Sequence, residues 1–370
     1  MAKRWRLGLM AAALLATVGA APAPVHRIVA VGDLHGDFAE WRAIATAAGL
    51  IDAKGDWAGG DTVLVQTGDV VDRGPDSLDI LTDLMRMQKQ APKAGGRVIT
   101  LVGNHEAMNV TDDLRYVSAG DYAAFATKDS AALRDRLYEA NKSEIEAAYR
   151  RKDPAMTPDA IRQAWIAATP LGMIEHQQAW HPEGRIGRWV ANNPAVVLID
   201  GTLFVHGGIG AAYDQLPIDQ INRKVDDALR ARDQADGAII NDPLGPLWYR
   251  GLVSRDADPD APKPLPGAPQ ISIDQELDQV LAAYGAKRMV IAHTPNLAGI
   301  TVTHDGKLIR IDTGISAYYG GVPSYLEILD GRLVPHAVPR TQGGGSDNAH
   351  ASKDDDDRGR VAGAVGAPGG

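Results

Sequence analysis

The sequence contains no cysteine in 370 residues, and its acidic residues outnumber its basic ones. Without cysteine the chain forms no disulfide and offers no thiolate to catalysis or to a structural zinc site. A formal net charge of −9 leaves no basic footprint, so we expect no nucleic-acid partner. With 45% hydrophobic and 23% charged residues, the composition is that of a soluble globular enzyme, and its length leaves one or two domains open.

The chain also lacks an apolar run long enough to span a bilayer, which takes ~20 residues. Its one candidate runs from residue 7 to 18, follows basic residues and precedes small ones up to Ala20. This pattern predicts a signal peptide over residues 1–20, cleaved after Ala20, and a periplasmic or secreted protein. An uncleaved anchor is the alternative, which the short run disfavours. After cleavage we expect no stable membrane insertion, and the lack of cysteine excludes lipoprotein attachment.

At the other end, residues 341–370 are rich in Gly, Ser, Ala and Asp and show no hydrophobic period. Such a segment buries too little surface to offset the entropy of ordering it, so we expect a disordered tail. The run Asp354–Asp357 within it is either a weak cation site or, more simply, a solvated group of charges.

Short runs of Val, Ile and Leu recur between the two ends, each followed by Gly, Asp, Asn or His. They are too short for helices and nearly continuously apolar, as buried strands are. Helical patterns at Phe38–Ala48, Ser77–Gln90 and Asp274–Tyr284 alternate with them, the second after an Asp76 cap. This alternation predicts an α/β fold with layered sheets. The predicted strands are Arg27–Val31, Thr62–Gln66, Arg97–Val102, Ala195–Ile199, Leu203–Val205, Lys287–Ala292 and Leu308–Ile311.

From about residue 111 to 189 the sequence becomes polar and helix-favouring. We predict helices over Ala131–Arg151 and Pro158–Ala168, the second capped by Thr157. We interpret the segment as a helical insertion that caps the substrate side, because loops after core strands usually carry specificity. A structural insertion remote from the site is the alternative.

Four motifs rich in metal-ligating side chains directly follow predicted strands. The carboxyl ends of strands in a layered sheet converge in one crevice, and glycines let the backbone turn sharply and approach closely. Carboxylate, imidazole and amide ligands suit Mn, Fe or Zn, and two such ions can clamp both oxygens of an in-line phosphoryl transfer to water. The motifs are Gly32-Asp33-Leu34-His35-Gly36, Gly68-Asp69-Val70-Val71-Asp72-Arg73-Gly74, Gly103-Asn104-His105-Glu106 and His206-Gly207-Gly208.

Each motif alone has a simpler interpretation, since Gly-Asp after a strand is usually a turn and a lone histidine is usually just hydrogen-bonded. The ordered set is more specific. Four histidines stand at strand ends among glycines or small polar residues: His35, His105, His206 and His293. We interpret the other six as structural or solvent-exposed: His26, His176, His181, His304, His336 and His350.

The ordered motifs resemble those of the calcineurin-like metallophosphoesterase superfamily. The segments Gly68–Gly74 and Gly103–Glu106 resemble its phosphoprotein phosphatase branch, and the chain is most similar to the bacterial Shewanella-like phosphatases. The resemblance implies a layered β-sandwich flanked by helices, with a catalytic domain over residues 24–340. It also implies two divalent metal ions, with Asp69 bridging a first set of ligands (Asp33, His35, Asp69) and a second set (Asp69, Asn104, His206, His293).

The same resemblance assigns chemical roles. A hydroxide shared by the metals attacks phosphorus, and His105, oriented by Asp72, protonates the leaving alkoxide. Arg73 binds phosphate oxygens through its guanidinium fork. For Glu106 two roles stay open, support of the ligands and direct participation in the chemistry, and support is favoured.

Three further residues are candidates for binding the substrate. A second phosphate-binding arginine is expected in this family, and Arg250 is the best local candidate, a surface arginine being the alternative. Tyr318 and Tyr319 either line the pocket or pack at its rim.

We therefore expect hydrolysis of phosphomonoesters, either small molecules or phosphoprotein side chains. Hydrolysis of dinucleoside polyphosphates is the alternative, because related enzymes share the metal motifs. A metal-binding interaction protein without catalysis is a third hypothesis, and the presence of His105, Asp72 and Arg73 beside the complete ligand set argues against it.

Overall fold

The structure is a computed structural model that describes residues 25–253 and 271–341. The predicted signal peptide and almost all of the predicted tail lie outside these residues. Within them the strands are β1 (Arg27–Val31), β2 (Val63–Gln66), β3 (Arg97–Thr100), β4 (Val196–Ile199), β5 (Thr202–Val205), β6 (Arg288–Ile291), β7 (Thr301–Thr303), β8 (Leu308–Arg310), β9 (Ser324–Leu329) and β10 (Arg332–Ala337).

The α-helices of the described residues are α1 (Phe38–Ala47), α2 (Ser77–Gln90), α3 (Asn104–Val110), α4 (Ala119–Phe125), α5 (Ser130–Ala140), α6 (Lys142–Lys152), α7 (Pro158–Ala168), α8 (Met173–Trp180), α9 (Arg185–Ala191), α10 (Ile218–Ala231) and α11 (Ile273–Ala283). No helix in these parts of the chain combines the length and apolarity needed to cross a membrane.

The strands form two five-stranded sheets of similar construction, in the orders β10-β9-β1-β2-β3 and β4-β5-β6-β8-β7. In the first sheet β1, β2 and β3 are parallel, and in the second β5, β6 and β8 are parallel. Antiparallel strands complete both sheets, β9 and β10 in the first and β4 and β7 in the second. Each sheet therefore presents the carboxyl ends of three parallel strands at one edge.

Alternate residues of one strand face different layers. Ile28 and Ala30 of β1 belong to an apolar cluster with Phe204 of the second sheet, whereas Val29 and Val31 belong to the cluster that includes the helices. This period of two is that of a sheet covered on both faces. The two sheets thus form a sandwich with helices on its outer faces, which confirms the predicted α/β fold with layered sheets.

The helical segment between β3 and β4 has a small core of its own, formed by Tyr138, Ile145, Ile161 and Trp165 of α5, α6 and α7. Its remaining helices attach it to the sandwich, because α8 packs against α3 and α4 packs against α2. The end of α9 is fixed by the indole of Trp189, which donates a 2.8 Å hydrogen bond to Gln88 of α2.

Three local predictions are affected by the structure. The single helix over Ala131–Arg151 is wrong, because α5 ends at Ala140 and the side chain of the next residue, Asn141, bonds back to the carbonyl of Leu137. The Thr157 cap is confirmed by a 3.2 Å bond from the Ala160 amide, but Asp76 makes no side-chain capping bond. Strands β7, β9 and β10 and helices α3 and α10 were not predicted.

Candidate functional site

All six predicted metal ligands lie where parallel strands end. Each of the strands β1, β2, β3, β5 and β6 is followed within five residues by at least one of them, so the fold brings both sheet edges together at one site. None has more than 5% of its surface exposed. They are Asp33 and His35 after β1, Asp69 after β2, Asn104 after β3, His206 after β5 and His293 after β6.

Three lone pairs face one another at His206. Its Nδ1 lies 2.9 Å from the carbonyl oxygen of Thr67, which only accepts, so Nδ1 carries the proton. The bare Nε2 then lies 2.9 Å from Asn104 Oδ1 and 3.3 Å from Asp69 Oδ2. Three buried acceptors this close are stabilised by a cation between them.

His35 and His293 likewise have a ring nitrogen that is available to a metal ion. His35 Nδ1 donates to the carbonyl of Val71 at 3.0 Å, which leaves Nε2 free at 3.9 Å from both Asp33 Oδ2 and Asp69 Oδ2. His293 Nε2 is buried and has no hydrogen-bond partner within the described residues. An orphaned buried nitrogen beside carboxylates is expected where a metal ion completes the site.

Two groups of side chains have ligand atoms within 4.8 Å of one another, His35–Asp69–His105 and Asp69–His206–His293. Both contain Asp69, as expected of a carboxylate between two ions. The first group contains His105, which was predicted as a general acid and not as a ligand. Asp33 is outside this group, but its carboxylate lies near His35, a member of the group. The donor set therefore fits two hard or borderline divalent cations.

The protonation states suit metal binding. Burial, aided by the charge of His105, lowers the pKa of His35 to about 3, and burial together with Arg250 lowers the pKa of His293 well below its usual value. Burial opposes ionisation of Asp69, yet the neighbouring imidazoles, that of protonated His105 among them, hold its pKa well below the ordinary range. Neutral imidazole and ionised carboxylate are the forms that ligate metals.

His105 and Asp72 form a buried pair next to these ligands. His105 Nδ1 lies 2.6 Å from Asp72 Oδ2, and Asn109 donates to the other carboxylate oxygen at 3.0 Å. Burial disfavours a charged His105, but the negative charges of Asp69 and Asp72 outweigh it and raise the pKa of His105 to about 9. The opposite ring nitrogen lies 3.9 Å from Asp69 Oδ2, so a proton there faces the ligand cluster.

The predicted substrate-binding residues lie on two sides of this cluster. The guanidinium of Arg73 donates to the hydroxyl of Tyr318 at 3.1 Å, and Tyr318 is 44% exposed. The ring of Tyr319 lies 5.4 Å from that of His35. Arg250 is half-buried and its charge acts on His293, on the other side. Both arginines thus bring positive charge to the site.

Glu106 connects two of the motifs. Its carboxylate accepts hydrogen bonds from the backbone amides of Gly103, Asp69 and Val70 at 2.8 to 2.9 Å. These bonds fix the loop after β2 to the first turn of α3. Glu106 therefore orients the residues that could ligate metal, as the prediction of a supporting role requires.

The loops need glycine where they meet. A Cβ atom on Gly103 would lie 2.2 Å from Asp69 Oδ1, and one on Gly68, whose φ is +96°, would lie 2.6 Å from the Gly103 amide. Both distances are far below van der Waals contact. Glycine at positions 68 and 103 is therefore needed for the loop after β2, which carries Asp69, to approach the loop after β3.

Two residues at the site were missed in the sequence. Asp312 follows β8, is buried and shares a hydrogen bond with Asp33, and burial raises its pKa to about 6. The run Ile311-Asp312-Thr313-Gly314 had the same signal as the four motifs, an acid and a glycine after a strand. Tyr116, whose ring lies 5.1 Å from that of His105, stands in an irregular loop and had no comparable signal.

Comparison with known proteins agrees with this geometry. Residues 26–297 match the family model described as calcineurin-like phosphoesterase. The chain is 32% identical to Shewanella-like protein phosphatase 2 of Arabidopsis thaliana over 311 residues, covering 82% of this chain and 75% of that one. It is 27% identical to Shewanella-like protein phosphatase 1 of Plasmodium berghei (strain Anka), covering 83% and 73%.

Solved structures show the same fold. A cold-active protein tyrosine phosphatase matches with a TM-score of 0.60 at 23% identity, over 84% of this chain and 76% of that one. The cold-active protein-tyrosine phosphatase of a psychrophilic Shewanella species matches with a TM-score of 0.59 at 22% identity, over 85% and 81%. At these identities the likeness concerns the fold alone.

Proposed function

The chain belongs to the calcineurin-like phosphoesterase family and is a metal-dependent phosphatase, and from this premise we propose that it hydrolyses phosphorylated protein side chains, preferring phosphotyrosine. Its curated relatives include proteins named as protein phosphatases, which supports a phosphoprotein substrate. The exposed ring of Tyr318 and the neighbouring ring of Tyr319 favour an aromatic leaving group, because rings stack on rings.

One observation carries the proposed chemistry. A buried, protonated His105 held by Asp72 stands beside the two ligand groups that share Asp69. Hydrolysis of a phosphomonoester needs an acid for the leaving oxygen next to the site where water is activated. The 2.6 Å contact of His105 with Asp72 and the two ligand groups that share Asp69 support this assignment of roles.

The chain's own residues account for several requirements of the reaction. Arg73 and Arg250 bring positive charge to bind a dianionic phosphoryl group and to stabilise the charge that develops on it. His105 delivers its proton to the leaving oxygen, and Asp72 keeps the ring oriented and charged while it does so. Burial of the ligand cluster excludes bulk water, which strengthens these interactions.

We further propose that Asp33, His35, Asp69, Asn104, His206 and His293 hold two divalent ions, chosen among Mn, Fe and Zn. When bound, such ions lower the pKa of water and neutralise phosphate charge. The bare Nε2 of His206 and the buried Nε2 of His293, which has no hydrogen-bond partner within the described residues, support this assignment.

A panel of substrates tests the substrate proposal. We expect kcat/KM of the Mn-loaded enzyme to be highest for a phosphotyrosine peptide, lower for the matching phosphoserine peptide and lowest for diadenosine tetraphosphate. The peptides have the same flanking sequence, so only the leaving group differs. A clear preference for diadenosine tetraphosphate would show that the enzyme is a dinucleoside polyphosphate hydrolase.

We also propose that the protein is exported. The support is the sequence of residues 1–20, a basic start followed by an apolar run and small residues. N-terminal sequencing of the protein purified from its native host should begin at Ala21. Full-length protein that retains residues 1–20 would instead indicate an anchor.

A further inference from the structure

Tyr116 joins the two residues that are expected to handle the phosphate and the leaving group. It lies in the loop of residues 111–118 between α3 and α4, and it is half-buried. The Cζ atom of Arg73 stands 3.9 Å from the centre of the Tyr116 ring, and the ring of His105 lies 5.1 Å from it. One aromatic ring therefore contacts both the arginine and the histidine.

The contact with Arg73 is the closest of three. The same guanidinium lies 4.9 Å from the ring of Tyr318 and 5.9 Å from that of Tyr319. A cation is attracted to the face of a ring within about 6 Å, and the attraction falls with distance. The ring face of Tyr116 should therefore attract the guanidinium more strongly than the rings of Tyr318 and Tyr319 do, whereas Tyr318 holds it through the hydrogen bond to its hydroxyl.

The backbone of Arg73 needs support, and the Tyr116 loop provides it. Asp72 and Arg73 have φ values of 70° and 69°, a left-handed conformation that costs free energy in residues other than glycine. The amide of Arg73 donates to the carbonyl of Tyr116 at 3.0 Å, and Ser118 donates to the carbonyl of Gly74 at 3.0 Å. These bonds hold the strained pair from the side of the helical segment.

The start of the same loop is fixed as well. Arg232, at the end of α10, donates to the carbonyl of Val110 at 3.0 Å and forms an ion pair with Asp112. Gln234 donates to the carbonyl of Thr111 at 2.6 Å. With both of its ends held, the loop presents Tyr116 in one defined position.

We propose that Tyr116 is a positioning residue for phosphate binding, acting through Arg73. Its ring face fixes the guanidinium before substrate arrives, so less conformational entropy is lost when the fork closes on a phosphoryl group. The inference deepens the proposed phosphatase function and rests on it for the identity of the substrate. The binding of a simple phosphate anion, by contrast, reports on the arrangement around Arg73 without depending on the identity of the substrate.

The first test compares three variants in steady-state kinetics with a phosphotyrosine peptide. Tyr116→Leu keeps an apolar side chain and removes the ring, and we expect KM to rise about tenfold. Tyr116→Phe keeps the ring and should restore KM to within about twofold of wild type, because the ring face makes the contact. Tyr149→Leu is the matched control, a half-buried tyrosine on the separate core of α5, α6 and α7. It should leave KM unchanged.

The second test measures the binding of inorganic phosphate to the Mn-loaded protein by calorimetry, without turnover. Tyr116→Leu should weaken the Kd about tenfold, and the same change in an Arg73→Ala background should have almost no further effect. If the leucine variant is poorly folded, judged by its thermal melting, Tyr116→Met serves in the same comparison.

The outcomes separate the two proposals. Phosphate binding by the wild type without hydrolysis of any phosphomonoester would overturn the proposed function but leave the role of Tyr116 intact. A Tyr116→Leu protein that binds phosphate as tightly as wild type would overturn the role of Tyr116. If Tyr116→Leu weakened phosphate binding equally in the wild-type and Arg73→Ala backgrounds, the role of Tyr116 would also be overturned.

Discussion

At the scale of single residues, the site stores backbone strain. Among the described residues, His35, Asp69, Asp72, Arg73 and His293 all have positive φ values between 43° and 70°. Such conformations cost free energy in residues with a side chain, and they persist only where surrounding contacts hold them. Five of the eleven described residues other than glycine that have a positive φ are therefore ones that the proposed chemistry uses.

The role of His105 leads to a prediction about leaving groups. Replacing His105 by Asn should lower kcat for a phosphotyrosine peptide about a hundredfold or more, because the leaving oxygen loses its proton donor. The loss should be much smaller for 2,4-dinitrophenyl phosphate, whose leaving group departs without a proton. Steady-state kinetics with both substrates measures the difference. Equal losses would show that His105 does not act as the acid.

The sequence was sufficient to predict most residues of the site, for a physical reason. Asp33, Asp69 and His206 follow apolar strands and adjoin glycines, and the carboxyl ends of parallel strands meet. Asp312 carried the same signal and was overlooked. Tyr116 could not be found, because its place beside Arg73 depends on how a loop in the helical segment folds back.

At the scale of elements, the loops after β2 and β3 must approach closely for Asp69 to belong to both groups of ligand atoms. Replacing Gly103 by Ala places a methyl group 2.2 Å from Asp69 Oδ1, which forces the loops apart. We expect activity to be nearly lost and the protein to be destabilised by roughly 1–3 kcal/mol. Phosphatase assays and urea unfolding measure the two effects.

Gly237→Ala provides the matched control. Gly237 is exposed, and a Cβ atom added there would meet no atom within 4 Å. Activity and unfolding midpoint should both stay at the wild-type values. If Gly103→Ala behaved like this control, the close approach of the two loops would not matter for the site.

Helix α8 carries a buried histidine that should make stability depend on pH. His176 lies among the rings of Tyr122, Phe125 and Trp180, and its Nδ1 has no hydrogen-bond partner within the described residues. Burial lowers the pKa of His176 from 6.5 to about 3. Because the folded pKa is lowered, the unfolded chain binds the proton first, so stability is lost as the pH falls below 6.5.

We predict that His176 lowers the free energy of unfolding by about 2 kcal/mol between pH 7.5 and pH 5.0, and that His176→Leu removes this loss. Urea unfolding of EDTA-treated wild type and variant at both pH values gives the difference, and the other histidines cancel in the comparison. An identical pH dependence in the two proteins would contradict the burial of a neutral His176.

Other parts of the fold could not be predicted from local sequence. Strand β9 lies between β1 and β10 although it is nearly 300 residues distant from β1 in sequence, and β10 is an exposed edge strand that contains Pro335. Pairing over such a separation is set by the whole core, and a half-exposed edge lacks the continuous apolar pattern of a buried strand. The buried parallel strands and the helices beside them were predictable because both patterns are local.

At the scale of the whole molecule, two similar sheets each contribute three parallel strands to one site. Asp33, Asp69 and Asn104 come from the first sheet, and His206 and His293 from the second. The first sheet alone supplies the first set of ligands, whereas the second set needs His206 and His293 of the second sheet. Bound metal should therefore link the two halves of the sandwich, and its removal should lower the unfolding temperature.

The central claim, that the predicted ligands around Asp69 would hold two divalent ions needed for phosphate hydrolysis, is tested most directly by metal reconstitution. EDTA-treated protein is titrated with Mn²⁺ while bound metal and turnover of a phosphotyrosine peptide are measured together. We predict full activity at two bound ions per chain, and less than about 1% of it in Asp69→Asn, which should bind fewer ions. Near-normal turnover by the metal-free protein or by Asp69→Asn would contradict the account.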